Sequence, residues 1–580
     1  MPAGLRGKSW MRLRPDRRRR ARPFTRLVEH FLHRLLRGNQ EEGSDFELGA
    51  GGLLGLLAAP GAFVTLFMLE EYSTFLNWLR GQLHRDLLVA SAPDKYLFLA
   101  LTMGVTGIVT VLKWDRILPD AQDYLNLAPL PVRARTVLLA NTAAIAIAVL
   151  VFVVDVNAIP TLLFPFIVTA AAEAPPSVFL SFAATHAAVV ALASLFTFCS
   201  VFSVLGIPAA LLPRRLFNSI AAGLRGGLLV AFLALLFSAP AGRALLKDAG
   251  AHPSSLSAWL PPVWFTALYQ EWQQRGTAVF HVLGRRALVA AGAALALMAL
   301  SYAASCRRRF ATVLEGAGRR SKPRLATALL WLLDRFAPAR SGFGRASHRF
   351  AVRALLRSEP HRLAIAVAVG LGAWLAVEEA AAGSWLQAQL VAAYLLILGL
   401  RVAFEIPALL PGNWIFRAVV EARSVDTRPV ARRVMLAFLS LCVLLPWFVA
   451  GAWRTGLLQA LLATAYVAAL SVCLMELLLE GYRKMPLACP MPGFRDNLPS
   501  LFLLHALGFE FFTVAGSALG AWMLAAPLRL LLLPAAMLAV WLGNLRRLKD
   551  AREAGELAEG ITFESLPPPT VERLDLGGTG

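Results

Sequence analysis

Twelve apolar stretches follow one another through the chain, each close to the length that crosses a bilayer as a helix. They are Leu48–Leu69, Tyr96–Leu112, Val137–Val154, Val178–Ile207, Ile220–Ala239, Ala287–Ala304, Leu363–Val377, Leu390–Leu410, Val434–Ala452, Leu457–Leu479, Leu501–Leu524 and Leu528–Leu545. Nothing else in the sequence constrains the fold as much. In hydrocarbon every backbone N–H and C=O must be bonded inside the structure, which leaves helices and closed barrels. Apolar runs of about 20 residues are helices. With 57% hydrophobic and 16% charged residues, the chain is also too poor in charge for a soluble domain. The expected fold is an all-α polytopic membrane protein of about twelve transmembrane helices.

The fourth run is long enough to require tilt or projection beyond the bilayer. Thr161–Ala172 is too short to span and predicts a separate outer-leaflet or re-entrant piece. The expected organisation is a basic N-terminus at 1–47, a first six-helix half at 48–305, a basic linker at 306–362, a second six-helix half at 363–545 and a polar tail at 546–580. No cleaved leader is expected, because the first apolar run begins only near Leu48. Before it, Leu27, Val28, Phe31, Leu32, Leu35 and Leu36 share one helical face, opposite Arg26, Glu29, His30 and His33. That pattern predicts an amphipathic helix in the headgroup layer.

Charge sets the expected orientation. The net charge is +21, and twelve Lys and Arg lie within 1–47 and fourteen within 306–362. The segments 155–177 and 378–389 hold none. The positive-inside rule accounts for this pattern without nucleic acid, and no nucleic-acid partner is expected. It predicts a multi-pass protein of the cytoplasmic (inner) membrane with both termini cytosolic, in contact with membrane lipid.

Two polar islands interrupt the apolar pattern on the side predicted to be cytosolic. One, residues 113–135, holds Trp114, Asp115, Asp120, Asp123, Pro131 and Arg133; the other, 411–433, holds Trp414 and Arg417. Each follows the second span of its half, and their ends read alike: LPVRARTV at 130–137, RPVARRVM at 428–435. Six spans plus six in one orientation describe a parallel duplication, which in transporters puts a pathway between the halves. Chance periodicity among twelve spans is the competing reading. The halves differ between their fifth and sixth spans. There the first half has a long segment, Gly242–Arg285, with Trp259, Pro261, Pro262 and Trp264. It reads as an interfacial aromatic belt, as a re-entrant lid or outer gate, or as both.

Four motifs carry a resemblance to a known family: Trp114–Asp120 (WDRILPD) with Asp123 and Leu127–Arg133 (LAPLPVR), Asn413–Arg417 (NWIFR), Trp259–Phe265 (WLPPVWF) and Pro490–Gly493 (PMPG). With the layout of most of the chain, they resemble the membrane (permease) subunit of ABC-2-type exporters in its fused, two-half form. The resemblance implies that the islands, through Trp114, Asp115, Asp120, Asp123, Pro131, Arg133, Trp414 and Arg417, couple to a separate ABC ATPase subunit in two copies. It also implies that Trp259, Pro261, Pro262 and Trp264 form an outer gate. ATP-Mg would be held by the partner and no cofactor by this chain. A blander reading makes Trp114 and Trp414 headgroup-level anchors.

The sequence offers little chemistry of its own. Gly7-Lys8-Ser9 lacks the first glycine and the preceding strand of a P-loop, so no phosphate cradle is expected. The five cysteines show no metal spacing, and no metal site is expected. Nor is there a catalytic motif, so the chain is expected not to be an enzyme. His186 predicts a neutral, hydrogen-bonded structural histidine. His505 and Glu510, five apart, are poorly spaced for a proton relay. Arg401 and Glu405, four apart, predict an ion pair, structural or gating. Glu476 and Glu480 need nearby cations, for which Arg483 and Lys484 are candidates. Two other functions compete with export. An ion-coupled secondary transporter would place ionisable groups near the midplane, and the sequence of the spans is nearly free of them. A membrane-embedded enzyme acting on lipid-linked substrates would draw on Asp115, Asp120 and Asp123, which Lys113 and Arg116 are close enough to pair.

Overall fold

A computed structural model describes residues 23–36, 50–73, 87–117, 133–238, 241–252, 254–314, 331–332, 342–408, 416, 427–480, 482, 485–489 and 498–553. Among these residues there is no strand. The helices of the first half are α1 (Pro23–Leu36), α2 (Ala50–Glu71), α3 (Leu87–Leu112, broken at Ser91), α4 (Trp114–Ile117), α5 (Ala134–Ala171), α6 (Pro176–Leu211), α7 (Arg214–Phe237), α8 (Gly242–Ala251), α9 (Pro261–Trp272) and α10 (Ala278–Leu314). The second half begins with α11 (Gly342–Arg357), α12 (Glu359–Ala381) and α13 (Trp385–Ala403). Then α14 (Arg428–Leu439) passes through a π-helical turn, Ser440–Leu444, into α15 (Leu445–Thr455). After α16 (Leu457–Leu478), α17 (Leu498–Glu510) passes through a second π turn, Phe511–Ala515, into α18 (Gly516–Leu524), and α19 (Leu532–Glu553) ends the described chain.

Ten helices among the described residues are long and apolar enough to cross a membrane. The architecture is all-α and multi-pass. The other two of the twelve expected spans correspond to α2, which has no charged residue before Glu70, and to α19, whose last two turns carry Arg546, Arg547, Lys549, Asp550 and Arg552.

One expected element is corrected. Thr161–Ala172 is not a separate re-entrant piece but the continuation of α5, a single helix of 38 residues with Pro160 and Pro165 inside it. A proline leaves the carbonyl four residues back without its amide. At Pro160 that carbonyl belongs to Val156, and α2 closes over it. A Cβ on Gly61 would sit 2.9 Å from the Val156 oxygen and 2.9 Å from Pro160 Cγ. Only a residue without a side chain fits there. The neighbouring helix thus covers the weak point, and the helix continues.

The halves meet along α7 and α12, where the side chains are smallest. A Cβ on Gly226 would come within 2.4 Å of the Ala366 Cβ, and one on Gly370 within 2.5 Å of a Val230 methyl. Further along, the Phe237 and Trp374 rings lie 6.0 Å apart. Residues 226, 230 and 237 meet 366, 370 and 374 in the same order, so these helices run parallel. Small residues of this kind let helix backbones approach where no hydrophobic force separates protein from lipid.

One arrangement recurs in both halves. α1 lays Leu27 and Phe31 on Ala140 and Ala144 near the start of α5. α11 likewise packs Ala351, Val352 and Leu355 against the core that holds Ala431, Val434 and Met435 of α14. In each half, an amphipathic helix before the first span covers the start of the third. The apolar face of α1 is therefore buried against protein, Phe31 completely, rather than laid on lipid as its pattern predicted.

Candidate functional site

The two ends of the first half carry different polar constructions. The end that bears the island is built around Trp114 and Asn141. Trp114 opens α4 directly after α3, and its indole is 1% exposed, against Phe202 at a ring distance of 5.1 Å. Ile117 is buried with it. Asn141, fully buried on α5, donates to the Ile117 carbonyl at 3.2 Å and to the Tyr302 hydroxyl at 2.8 Å, and accepts from Arg34 Nη2 at 3.4 Å. One amide thereby ties α4, α10 and α1 to α5. An unpaired buried amide is costly, so these bonds hold the root of the island in place.

This corrects the expectation that Trp114 presents an aromatic surface to a partner. Its bulk is core, because α6 and α10 close over the end of α3. Arg133, just before α5, is exposed. The side chain of Asp115, and all of Asp120, Asp123, Pro131, Trp414 and Arg417, lie outside the described residues. Phe416 of the second island is described, and its ring packs on Phe350 of α11 at 4.8 Å.

At the far end, the segment between α7 and α10 folds into α8, a 3-10 turn at Ser257–Trp259, and α9. Pro261 and Pro262 occupy the first turn of α9, where a missing N–H leaves no bond unmade. Around the Ala258 carbonyl the predicted gate residues come together. Trp264 Nε1 donates to it at 2.8 Å and Arg286 Nη1 at 3.0 Å. The Arg286 guanidinium also lies 5.0 Å from the Trp259 ring centre and 5.9 Å from that of Trp264. Arg286 is about two turns into α10, whereas Trp272 lies just before the turn that starts α10. The beginning of α9 thus packs further along α10 than its end does. Trp259 and Trp272 remain exposed, as a belt requires, while Pro262 is buried and Trp264 half-buried.

The C-terminal end of α9 is fastened by Lys95, which is fully buried. Its ammonium donates to Gln273 Oε1 at 2.6 Å, Leu88 O at 3.1 Å and Gln270 Oε1 at 3.4 Å. It also lies 4.9 Å and 5.0 Å from the ring centres of Tyr269 and Phe182. A buried ammonium needs acceptors for three protons, and ring faces add cation–π attraction. Beside it, His186 Nδ1 and the Tyr269 hydroxyl are bonded at 3.0 Å, in agreement with the structural histidine expected from sequence. Tyr72 bonds Asp94. Outside the spans, the Ser257 hydroxyl at 2.5 Å, with Ser255 and His252, holds the Asp248 carboxyl below the usual carboxylate range.

Elsewhere, Arg401 pairs with Glu405 as the spacing predicted, donates Nε–H to Leu478 O at 3.0 Å and lies over the Tyr482 ring. Glu476 and Glu480 do find cations, in Arg432 at 2.7 Å and Arg547 at 2.6 Å; the candidates Arg483 and Lys484 lie outside the described residues. The spans are also less free of buried charge than the sequence implied. Lys95 and Arg225 are 0% and 3% exposed within α3 and α7. Among the described residues, no group of three or more His, Cys, Asp or Glu is placed to hold a metal ion.

Sequence reasoning missed Lys95 and Arg286. Both look like charges that end a span. The available signal was their setting, with aromatic neighbours around Lys95 and amides at 270 and 273 in an aromatic-rich segment. Fold and site together define a multi-pass helical membrane protein with a buried-root island at one end and a fastened helical hairpin at the other. Comparison with family models, curated proteins and solved structures returned no match for this chain.

Proposed function

We propose that the chain is the membrane-spanning permease subunit of an ATP-driven exporter of the ABC-2 type, moved by a separate ATPase. The observation that carries this reading is the recurrence at the island end. In both halves an amphipathic helix is clamped across the start of the third span, next to the point where the island leaves the bundle. A force applied to either island would reach α5 or α14 through rigid, buried contacts. In this reading the island end is cytosolic, the re-entrant hairpin caps the opposite end of the pathway, and island residues other than Trp114, Arg133 among them, meet the partner.

The test is hydrolysis. The purified chain alone is expected to hydrolyse no ATP, and the chain purified with its partner is expected to show hydrolysis that falls when Arg133 and Arg417 are both changed to Glu. Hydrolysis that stays with the pure chain would refute the proposal, as would a complex indifferent to both changes. Ion-coupled secondary transport is the second reading, favoured by the buried cations Lys95 and Arg225. It requires uptake or efflux in proteoliposomes driven by an ion gradient without ATP.

A further inference from the structure

An open groove of about 870 Å³ runs beside α11 in the second half. Arg349, Arg353 and Arg357 form one wall, four residues apart, so they rise from a single helical face. All three side chains are exposed. The opposite face of α11, through Ala351, Val352 and Leu355, is buried in the core that includes α14, so the arginine face is held outward. Phe350, Ala354 and Ala408 supply apolar lining, and no carboxylate occurs among the described lining residues.

The corner of the groove is fixed. His361, fully buried, bonds the Ser358 hydroxyl at 2.7 Å through Nδ1 and the Ile406 carbonyl at 2.9 Å through Nε2. Ala408 N–H donates to Leu487 O at 2.8 Å. Ser358 is also the residue before α12, whose stretch Pro360–Ala381 is of membrane length. Arg357 therefore stands where an apolar span begins, and Arg349 lies within about 12 Å of it along α11. That is the level of lipid headgroups.

We propose that this groove binds the headgroup of an anionic phospholipid. The phosphate is held by Arg349, Arg353 and Arg357, and the first part of an acyl chain lies over Phe350, Ala354 and Ala408. Guanidinium groups bind phosphate through paired N–H donors. An acidic polypeptide would satisfy the arginines, but apolar lining beside the start of a span fits a lipid better. The site is independent of the export reading, since it needs only the membrane and this chain.

The experiment uses the full chain in phosphatidylcholine nanodiscs, with and without a minor fraction of phosphatidylglycerol. Retained lipid is read by native mass spectrometry after release. The variant Arg349→Gln/Arg353→Gln/Arg357→Gln changes exposed side chains only. It is expected to lose phosphatidylglycerol retention by roughly ten- to a hundredfold, as three arginines near an anionic surface imply. Arg345→Gln, exposed on the same helix but outside the lining, should retain it, and inorganic phosphate should not displace it. The proposal is overturned if the triple variant retains the lipid like the parent, if Arg345→Gln loses it equally, or if removing residues 554–580 abolishes retention while the three arginines are intact.

Discussion

The two halves share a plan at the island end and diverge at the other. In the first half, spans α7 and α10 are separated by two helices and a 3-10 turn, and α9 is fastened by a buried lysine. In the second, α18 and α19 are joined by a short 3-10 turn, Pro527–Leu531, and irregularity moves into the spans as π turns at Ser440–Leu444 and Phe511–Ala515. Tyr466 supports the second of these from α16, donating to the Gly516 carbonyl at 2.6 Å. π turns are frequent at functional sites. Under the proposed function, the two halves share their construction where force would enter and differ where the pathway would open. The cations of the two second spans follow the same split. Lys95 sits at the far end of the second span of its half, whereas Arg401 sits at the island end of the corresponding span, paired with Glu405.

The largest expected effect tests the island root. Trp114→Ala empties a fully enclosed site against Phe202 and should cost about 3–5 kcal/mol, read as a fall in the thermal midpoint. Trp114→Phe should keep most of that stability; equal loss from both would mean that the indole does more than fill space. The next test concerns the join between the halves. Gly226→Leu, against Ala366, should cost about 1–3 kcal/mol by overpacking and should be partly rescued by Ala366→Gly. A third change sharpens the contrast at the far end. Lys95→Met should cost about 2 kcal/mol by leaving Gln270 and Gln273 short of a donor. It should also raise thiol labelling of a cysteine placed at Gln274, whereas Arg401→Met should leave that labelling unchanged. The smallest effect is on pH. The Asp248 carboxyl is held below its usual range, so its contribution is present above that range and lost only as pH falls through the lowered value. The parent should therefore be slightly more stable than Asp248→Asn at neutral pH, and the difference should vanish as pH falls through that acid limb.

Most of the fold was legible because lipid imposes one rule on every span: an uninterrupted apolar run. The ten qualifying helices fall on ten of the twelve runs. Where the reading failed, a local signal was overridden by a neighbouring helix. Thr161–Ala172 looked detached because it is too short to span by itself, but it continues α5 past Pro160, which Gly61 of α2 covers. Asp94 and Lys95 looked like the edge of a span, but Tyr72 bonds Asp94, α9 brings Lys95 its partners, and α3 begins at Leu87. Trp114 looked like a surface anchor because its neighbours are charged, yet α6 and α10 bury it. Such partners come from residues distant in sequence, as between Lys95 and Gln273 or Glu476 and Arg432. No periodicity records them.

The account rests on the islands as the receiving surface for a separate ATPase, and photo-cross-linking in native membranes tests this most directly. A photoreactive residue at Asp120 and another at Arg417, each in an otherwise intact chain, should both cross-link to a P-loop ATPase. The same probe at Trp259, on the re-entrant hairpin, should not. Cross-links from Trp259 and none from either island would contradict the account.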